Sequence, residues 1–479
     1  MYKLLLIRKY LIKRRIAWVS LLAVILCTAM VLVVISVMGG WLRMFRESFH
    51  GLSGDIIVEA RSMSGFAHYE EMIERIEALP DVEAAAPVIE TWGLMKLNGI
   101  GPDAVRVIGY DIDEIAQING FDESLYRQHQ KFLDNGQAPT TKPSFNLVPG
   151  IDYNEALGGR VKNADEWPGI ILGAGLARVR KTRSGEIDRP PQAVLLRSFV
   201  RLEVLGMEED TVSVTDAKPQ AANYWVIDDS RTQIWQYDAN TVYVPFDRIQ
   251  SDLKMSARTE TDADTGEKFN IRARTSQVHV KVKPGVDMYA VKPQVAAIVN
   301  DYFPGFEELE YAPVVVQTWE ESQATYLSAV ENEKTLVTFL FGIISIVAIF
   351  LIFCIFYMIV VEKTKDIGII KSVGATNSGV AGIFLGYGLT IGLLGAGLGL
   401  LAAYLIVHNI NEIHTWISDV TGRPIWDPEV YAFDTIPNTM NPNEIIVIMI
   451  VAVVSSVLGA LVPAWRAAQL HPVESLRWE

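Results

Sequence analysis

Between Val360 and Thr376 the chain reads VVEKTKDIGIIKSVGAT, where Glu362, Lys363, Lys365, Asp366 and Lys371 alternate with Ile367, Ile369, Ile370 and Val373. The chemistry open to such side chains is ion pairing and apolar docking, not bond-making. Their spacing predicts a short amphipathic helix ended by Gly374, although an ordinary turn carrying positive charge fits the same residues. Elsewhere, residues capable of catalysis do not assemble into motifs. The sequence has no G-x-x-x-x-G-K-[ST] nucleotide loop, no G-x-S-x-G and no H-E-x-x-H. Its seven histidines are scattered and read as surface or packing residues. Glu307, Glu308 and Glu310 read as a solvated face. DADTG at Asp262–Gly266 is similar to a calcium loop but lacks the later Glu and the flanking helices, so no metal site is expected.

Composition sets the class. Of 479 residues 50% are hydrophobic and 20% charged, which suits a membrane protein with one sizeable water-exposed part. A net charge of −14, with no long basic cluster beyond the N-terminus, argues against nucleic acid as a partner. Cys27 and Cys354 are the only cysteines, both within apolar stretches, so a disulfide framework is excluded.

Four stretches can cross a hydrocarbon core about 30 Å thick, which takes roughly 20 helical residues. They are expected at residues 16–42, 335–361, 379–408 and 443–463. The first is too long for a signal peptide and lacks a small-x-small cleavage site, so it reads as a retained anchor. Lys3, Arg8, Lys9, Lys13, Arg14 and Arg15 precede it, and Lys363, Lys365 and Lys371 follow the second span. The 409–442 loop holds a single basic residue, Arg423. The basic bias places residues 1–15, 362–378 and 464–479 in the cytoplasm, and residues 43–334 and 409–442 outside. The third span has eight glycines, including Gly382-xxx-Gly386, Gly388-xxx-Gly392 and Gly395-xxx-Gly399. Small residues at this interval bring helices close, either within the chain or at a subunit interface. No charged residue lies deep within a span, so ion coupling has no evident carrier.

In the outer region, Asp55–Ala60, a helix from Tyr69 stopped by Pro80, and EAAAPVIETWGLMKL form one βαβ-like unit. QVHVKVKPG, a helix started or kinked at Pro293, and LEYAPVVVQTW form another. A single α+β domain built from both ends is expected, with a mostly-β insertion at about 169–252. Gln128–Glu166 and Lys254–Ala273 read as loops. Thr318–Thr335 reads as helix continuing into the second span.

EKTKDIGIIKSVGAT resembles the cytoplasmic loop of the MacB/FtsX superfamily of ABC-transporter permeases, and Pro463–Glu479 resembles that family's C-terminal signature. SVMGGW resembles the exit of its first helix. IILGAGLA (Ile170–Ala177), WQYDANTVYVPFDRIQ (Trp235–Gln250) and WDPEVYAFDTIP (Trp426–Pro437) are similar to the lipoprotein-releasing (LolC/LolE) branch. The resemblance implies a four-helix transmembrane permease with a large α+β periplasmic ectodomain. That ectodomain would pair a split βαβ-type porter-like domain with the inserted β subdomain. It further implies an inner-membrane subunit that couples ATP hydrolysis in a separate ATPase dimer to release of acylated lipoprotein towards a periplasmic carrier. Partners would be that ATPase, a second permease subunit, the cargo, the carrier and membrane lipid. ATP and Mg would be bound by the ATPase, no cofactor by this chain, and the permease itself would not be an enzyme.

The same resemblance assigns ATPase coupling to Lys363, Lys365, Asp366, Ile369, Lys371, Ser372 and Gly374. It points to Val37, Met38, Trp41, Leu42 and Phe45 as an apolar lining for acyl chains; these also fit a bilayer-interface belt with Trp41 as an aromatic anchor. A carrier-catching hairpin would fall near Thr215–Asn223, at Pro219 and Gln220. Two other readings stay open. A MacB-like efflux permease usually carries a fused ATPase, and an FtsX-like subunit activating a cell-wall hydrolase normally has a shorter ectodomain.

Overall fold

The computed structural model describes residues 15–97, 102–134, 136–139, 142–156, 163–176, 180–181, 187–188, 198–206, 218–232, 234–261, 268–304, 313–422 and 436–471. The chain divides into two units, residues 1–44, 328–417 and 435–479 in one, and 45–327 and 418–434 in the other.

Among the described residues six helices belong wholly or partly to the first unit: α1 (Arg15–Ser53), α2 (Ala324–Glu362), α3 (Thr364–Ser372), α4 (Asn377–His408), α5 (Ile410–Thr421) and α6 (Pro442–Gln469). Among the described residues α1, α2, α4 and α6 are each long and apolar enough to cross a membrane. α1 and α2 extend well past the expected spans, α1 to Ser53 and α2 from Ala324. Gly388, Gly392, Gly395 and Gly399 of α4 serve packing within the chain, and they split between two neighbours. A Cβ on Gly388 would stand 2.7 Å from the Ala460 Cβ of α6, and one on Gly399 would stand 2.8 Å from the Thr28 Cβ of α1. Ser456 of α6 donates to the Gly388 carbonyl at 2.8 Å. Close backbone approach supplies the dispersion contacts that hold helices together in lipid. Phe356, Ile359, Ile383, Phe384, Tyr387 and Ile391 fill the core between them. Phe350, Leu401, Val454 and Leu458 point outward, where hydrocarbon replaces water. Gly40 has a similar role at the exit of α1, where a Cβ would meet Pro437 at 2.6 Å.

The second unit is built on one nine-stranded sheet: β1 (Ile56–Ala60), β2 (Val82–Leu97), β3 (Pro102–Tyr110), β4 (Gly169–Gly173), β5 (Phe199–Gly206), β6 (Lys218–Ser230), β7 (Thr241–Pro245), β8 (Gln277–Val282) and β9 (Val314–Thr318). Its order is β9-β1-β8-β2-β3-β7-β4-β6-β5, and β5 pairs back onto β2. Strand β2 makes this possible because its 16 residues serve two partners on one edge. Val82–Val88 pair with β8, while Gly93–Leu97 pair with β5. The inserted strands therefore close into a six-stranded barrel, β2-β3-β7-β4-β6-β5, that shares β2 and a continuous core with the flanking βαβ units. Closure removes the exposed edges that invite mispairing. Gly93 lies where the partner changes, and a Cβ there would be 2.9 Å from the Glu203 carbonyl oxygen.

Helices Tyr69–Glu77 and Met288–Tyr302 cover the sheet with Met72, Ile76, Val291, Val295 and Val299. The second starts at Met288, capped by the Asp287 carboxylate, so Pro293 lies inside it and does not begin it. The stretches expected as loops hold short elements: turns of helix over 126–134 and at Tyr153–Ala156, and a ladder between Arg258–Thr261 and Lys268–Ile271. Glu307, Glu308, Glu310 and the DADTG segment lie outside the described residues.

Candidate coupling helix

The charged segment is a helix, α3, entered at Lys363 and left at Val373, with Gly374 at φ +103° turning the chain towards α4. That φ favours glycine. Thr376 then caps α4 by accepting from the Gly379 N–H at 3.2 Å. One face of α3 is internal: Thr364, Ile367 and Gly368 are buried. The opposite face carries Lys365, Ile369, Ser372 and Val373, all exposed, Val373 at 86%. Positions i, i+4, i+7 and i+8 share one side of a helix, so an apolar pair flanked by a lysine faces away from the membrane unit.

The expected coupling residues thus separate. Lys365, Ile369 and Ser372 lie on the outward face, though Ser372 donates back to the Gly368 carbonyl at 2.8 Å. Lys363 and Asp366 form an ion pair with each other across one turn. Lys371 is a structural residue instead: its ammonium donates to the carbonyls of Ala468 at 2.8 Å and Leu470 at 2.6 Å. A cation there satisfies the orphan carbonyls at the end of α6 and favours its dipole. Val373 belonged to the expected apolar pattern but was not counted among the coupling residues, because it sits at the very end of the helix beside Gly374.

The lining set in α1 separates too. Val37, Met38 and Trp41 are half-buried, but Leu42 (9% exposed) and Phe45 (4%) face inward within this chain. The Phe45 ring packs at a tilt against Phe49 with centroids 4.2 Å apart. Positions 42, 45 and 49 form one helical stripe that packs inside, so these two do not present an open acyl-chain surface. Pro219 and Gln220 lie within β6, paired with Leu205 and Val204 of β5, and not at a turn. The connection between those strands lies outside the described residues.

Sequence reasoning missed a polar junction in the second unit. Asp55, just before β1, accepts from His50 at 2.5 Å and from the Val282 N–H at 2.7 Å, while its carbonyl accepts from the Trp319 N–H at 3.1 Å. Burial pushes the Asp55 carboxyl up, but these hydrogen bonds and the Lys281 charge hold it below the usual carboxylate range. The end of α1, strand β8 and the turn of helix leading to α2 meet at this one residue. Thr318 and Glu321 close a capping box on that turn. Beside it, Glu90 and Arg106 form a two-fold ion pair at 2.6 Å, with the guanidinium 4.5 Å from the Tyr237 ring. His279 Nε2 lies 3.0 Å from Gln277 Oε1. Burial drives the His279 imidazole down to about 4, so it is neutral in the fold.

A groove of about 660 Å³ elsewhere in this unit is rimmed by Glu70, Glu77, Asp111, Asp113, Glu114 and Asp247. Its charge disfavours anionic ligands. Among the described residues no group of His, Cys, Asp and Glu is arranged to hold a metal.

Residues 338–472 match the family model of the FtsX-like permease C-terminal domain, and residues 17–138 match that of the MacB-like periplasmic core domain. The chain therefore carries an FtsX-like permease C-terminal domain and a MacB-like periplasmic core domain, and is a multi-pass membrane protein. Among curated relatives, the lipoprotein-releasing system transmembrane protein LolC of Xylella fastidiosa is 30% identical over 167 residues, 35% of this chain and 40% of that protein. LolE of Haemophilus influenzae is 25% identical over 190 residues, 40% and 44% of the two chains. An uncharacterised ABC transporter permease of Bacillus subtilis, YknZ, is 23% identical over 248 residues, 52% of each. This chain thus spans about half or less of the length of these relatives. The solved periplasmic region of MacB from Actinobacillus actinomycetemcomitans covers 58% of this chain and 94% of its own, with 8% identity and a TM-score of 0.28.

Proposed function

We propose that this chain is the membrane subunit of an ABC complex that uses ATP hydrolysis in a separate ATPase to release lipoproteins from the inner membrane towards a periplasmic carrier. The observation that carries the reading is α3: a short helix between two spans that turns Lys365, Ile369, Ser372 and Val373 outward. Ile369 and Val373 seat in an apolar groove of the ATPase and Lys365 pairs with an acidic rim. The ATPase holds ATP and Mg, and this chain acts without catalysing a reaction. The termini and α3 face the cytoplasm, the second unit faces the periplasm, and a second permease subunit completes the complex. Two relatives named for lipoprotein release support the cargo class. The MacB-like core match supports a second reading, a MacB-type efflux permease.

Co-purification from native membranes tests both. Lys365→Glu with Ile369→Asp should weaken ATPase association by about 2 kcal/mol or more without lowering the thermal midpoint of the purified chain. Lys371→Met should do the reverse, costing about 2 kcal/mol of stability through two lost charged hydrogen bonds. Acylated protein in the purified complex favours lipoprotein release; its absence alongside an intact ATPase favours efflux. Undiminished ATPase recovery with the double variant removes α3 from the coupling role.

A further inference from the structure

Helix α5 is docked by the wrong side for a water-exposed element. Part of its polar side faces the protein: Asn411 donates to the Ile436 carbonyl at 3.0 Å and accepts from the Ile436 N–H at 2.9 Å. Thr415 bonds back to the Asn411 carbonyl at 2.9 Å, and Ser418 is 4% exposed. The apolar positions Ile413, Trp416 and Val420 share the opposite face at i, i+3 and i+7, and all three are exposed, Trp416 at 67% and Val420 at 70%. An amphipathic helix in water buries its apolar stripe, and this one presents it.

What covers that stripe follows from where the helix begins. α4 ends at His408, and α5 starts at Ile410 after a single residue. The last turns of α4 carry Leu401, Tyr404, Leu405 and Ile406, exposed like the other outward side chains of the spans. The Asn411–Ile436 pair also ties the start of α5 to the segment leading into α6, so both helix ends of that boundary lie beside it. Exposed apolar side chains at the end of α4 and the apolar stripe of α5 thus fall within one short stretch of chain at the end of a span. Glu412 and Asp419 flank the stripe on the exposed surface, where headgroup and water reach them. Trp416 has the amphipathic ring that settles at the headgroup level.

We infer that α5 lies in the plane of the bilayer surface, with Ile413, Trp416 and Val420 inserted at the boundary between headgroups and acyl chains. The occupant is the lipid interface itself, as for other amphipathic helices with one charged and one apolar edge. Bound this way, α5 fixes the depth of the α4–α6 end of the membrane unit.

Spin-label accessibility of the full chain in lipid nanodiscs tests this. In a Cys27→Ala, Cys354→Ala background, Trp416→Cys and Val420→Cys carry the label on the stripe, and Glu412→Cys and Asp419→Cys carry it on the flank. The ratio of oxygen to nickel-chelate collision rates should be severalfold higher at 416 and 420 than at 412 and 419. Equal ratios at all four positions would mean a water-exposed helix and overturn the inference. Low collision with both reagents at 416 and 420 would mean a protein occupant, such as a second copy, and would overturn it as well.

Discussion

His279 is 5% exposed in β8, and burial, helped by the Arg106 charge and opposed by that of Glu90, keeps it a neutral group. An unfolded histidine titrates near 6.5, the folded one near 4. Between those values the unfolded state binds the proton that the fold refuses, so stability falls as pH drops through this window. The loss attributable to His279 reaches about 3 kcal/mol once pH is below the folded value. His279→Gln retains a hydrogen-bonding amide and removes the titration. Thermal or denaturant unfolding at pH 7 and pH 4.5 should show a smaller acid loss for the variant than for the parent, other groups cancelling in the difference. Asp55 has the same sign through a different cause, since its carboxylate is favoured by the fold and its contribution disappears as it protonates. Neither role was legible in sequence. QVHVKV reads correctly as a strand, but which of its polar residues face a sealed interior depends on strands far away in the chain.

At the level of elements, patterning was informative wherever one local rule decided the outcome. Apolar length marked the spans, and alternating charge marked α3. The strands of both βαβ units followed apolar runs bounded by turn residues. What stayed hidden was pairing that needs a third partner. Nothing local in VEAAAPVIETWGLMKL announces that its first half meets β8 and its last five residues meet β5. Lys371 has the same lesson, since its partners are the carbonyls of Ala468 and Leu470, nearly a hundred positions on. The glycine rows of α4 were legible as close contacts with the other helices of the chain, but not in how they divide between α1 and α6. Gly399→Leu should force α1 away at Thr28, and Gly392→Leu should force α6 away at Ser456. Each should destabilise the purified chain in detergent by about 1–3 kcal/mol, the usual range for overpacking, seen as a lower thermal midpoint. An unchanged midpoint in both would mean that these interfaces tolerate separation.

On the scale of the whole molecule, the chain combines a membrane unit with a large α+β unit and has no nucleotide loop of its own. The domain matches cover its first 17–138 and its 338–472 residues, leaving the barrel strands between them to be understood from their own pairing. On the proposed reading, energy for work reaches the permease from a bound ATPase through the outward face of α3. The most direct measurement is photo-crosslinking in native membranes, with a photoreactive amino acid at Ile369 or Val373. A nucleotide-binding chain captured at both positions, with Lys365 protected from membrane-impermeant reagents applied outside, is the predicted result. No such adduct, together with labelling at position 365 from outside intact cells, would contradict the account.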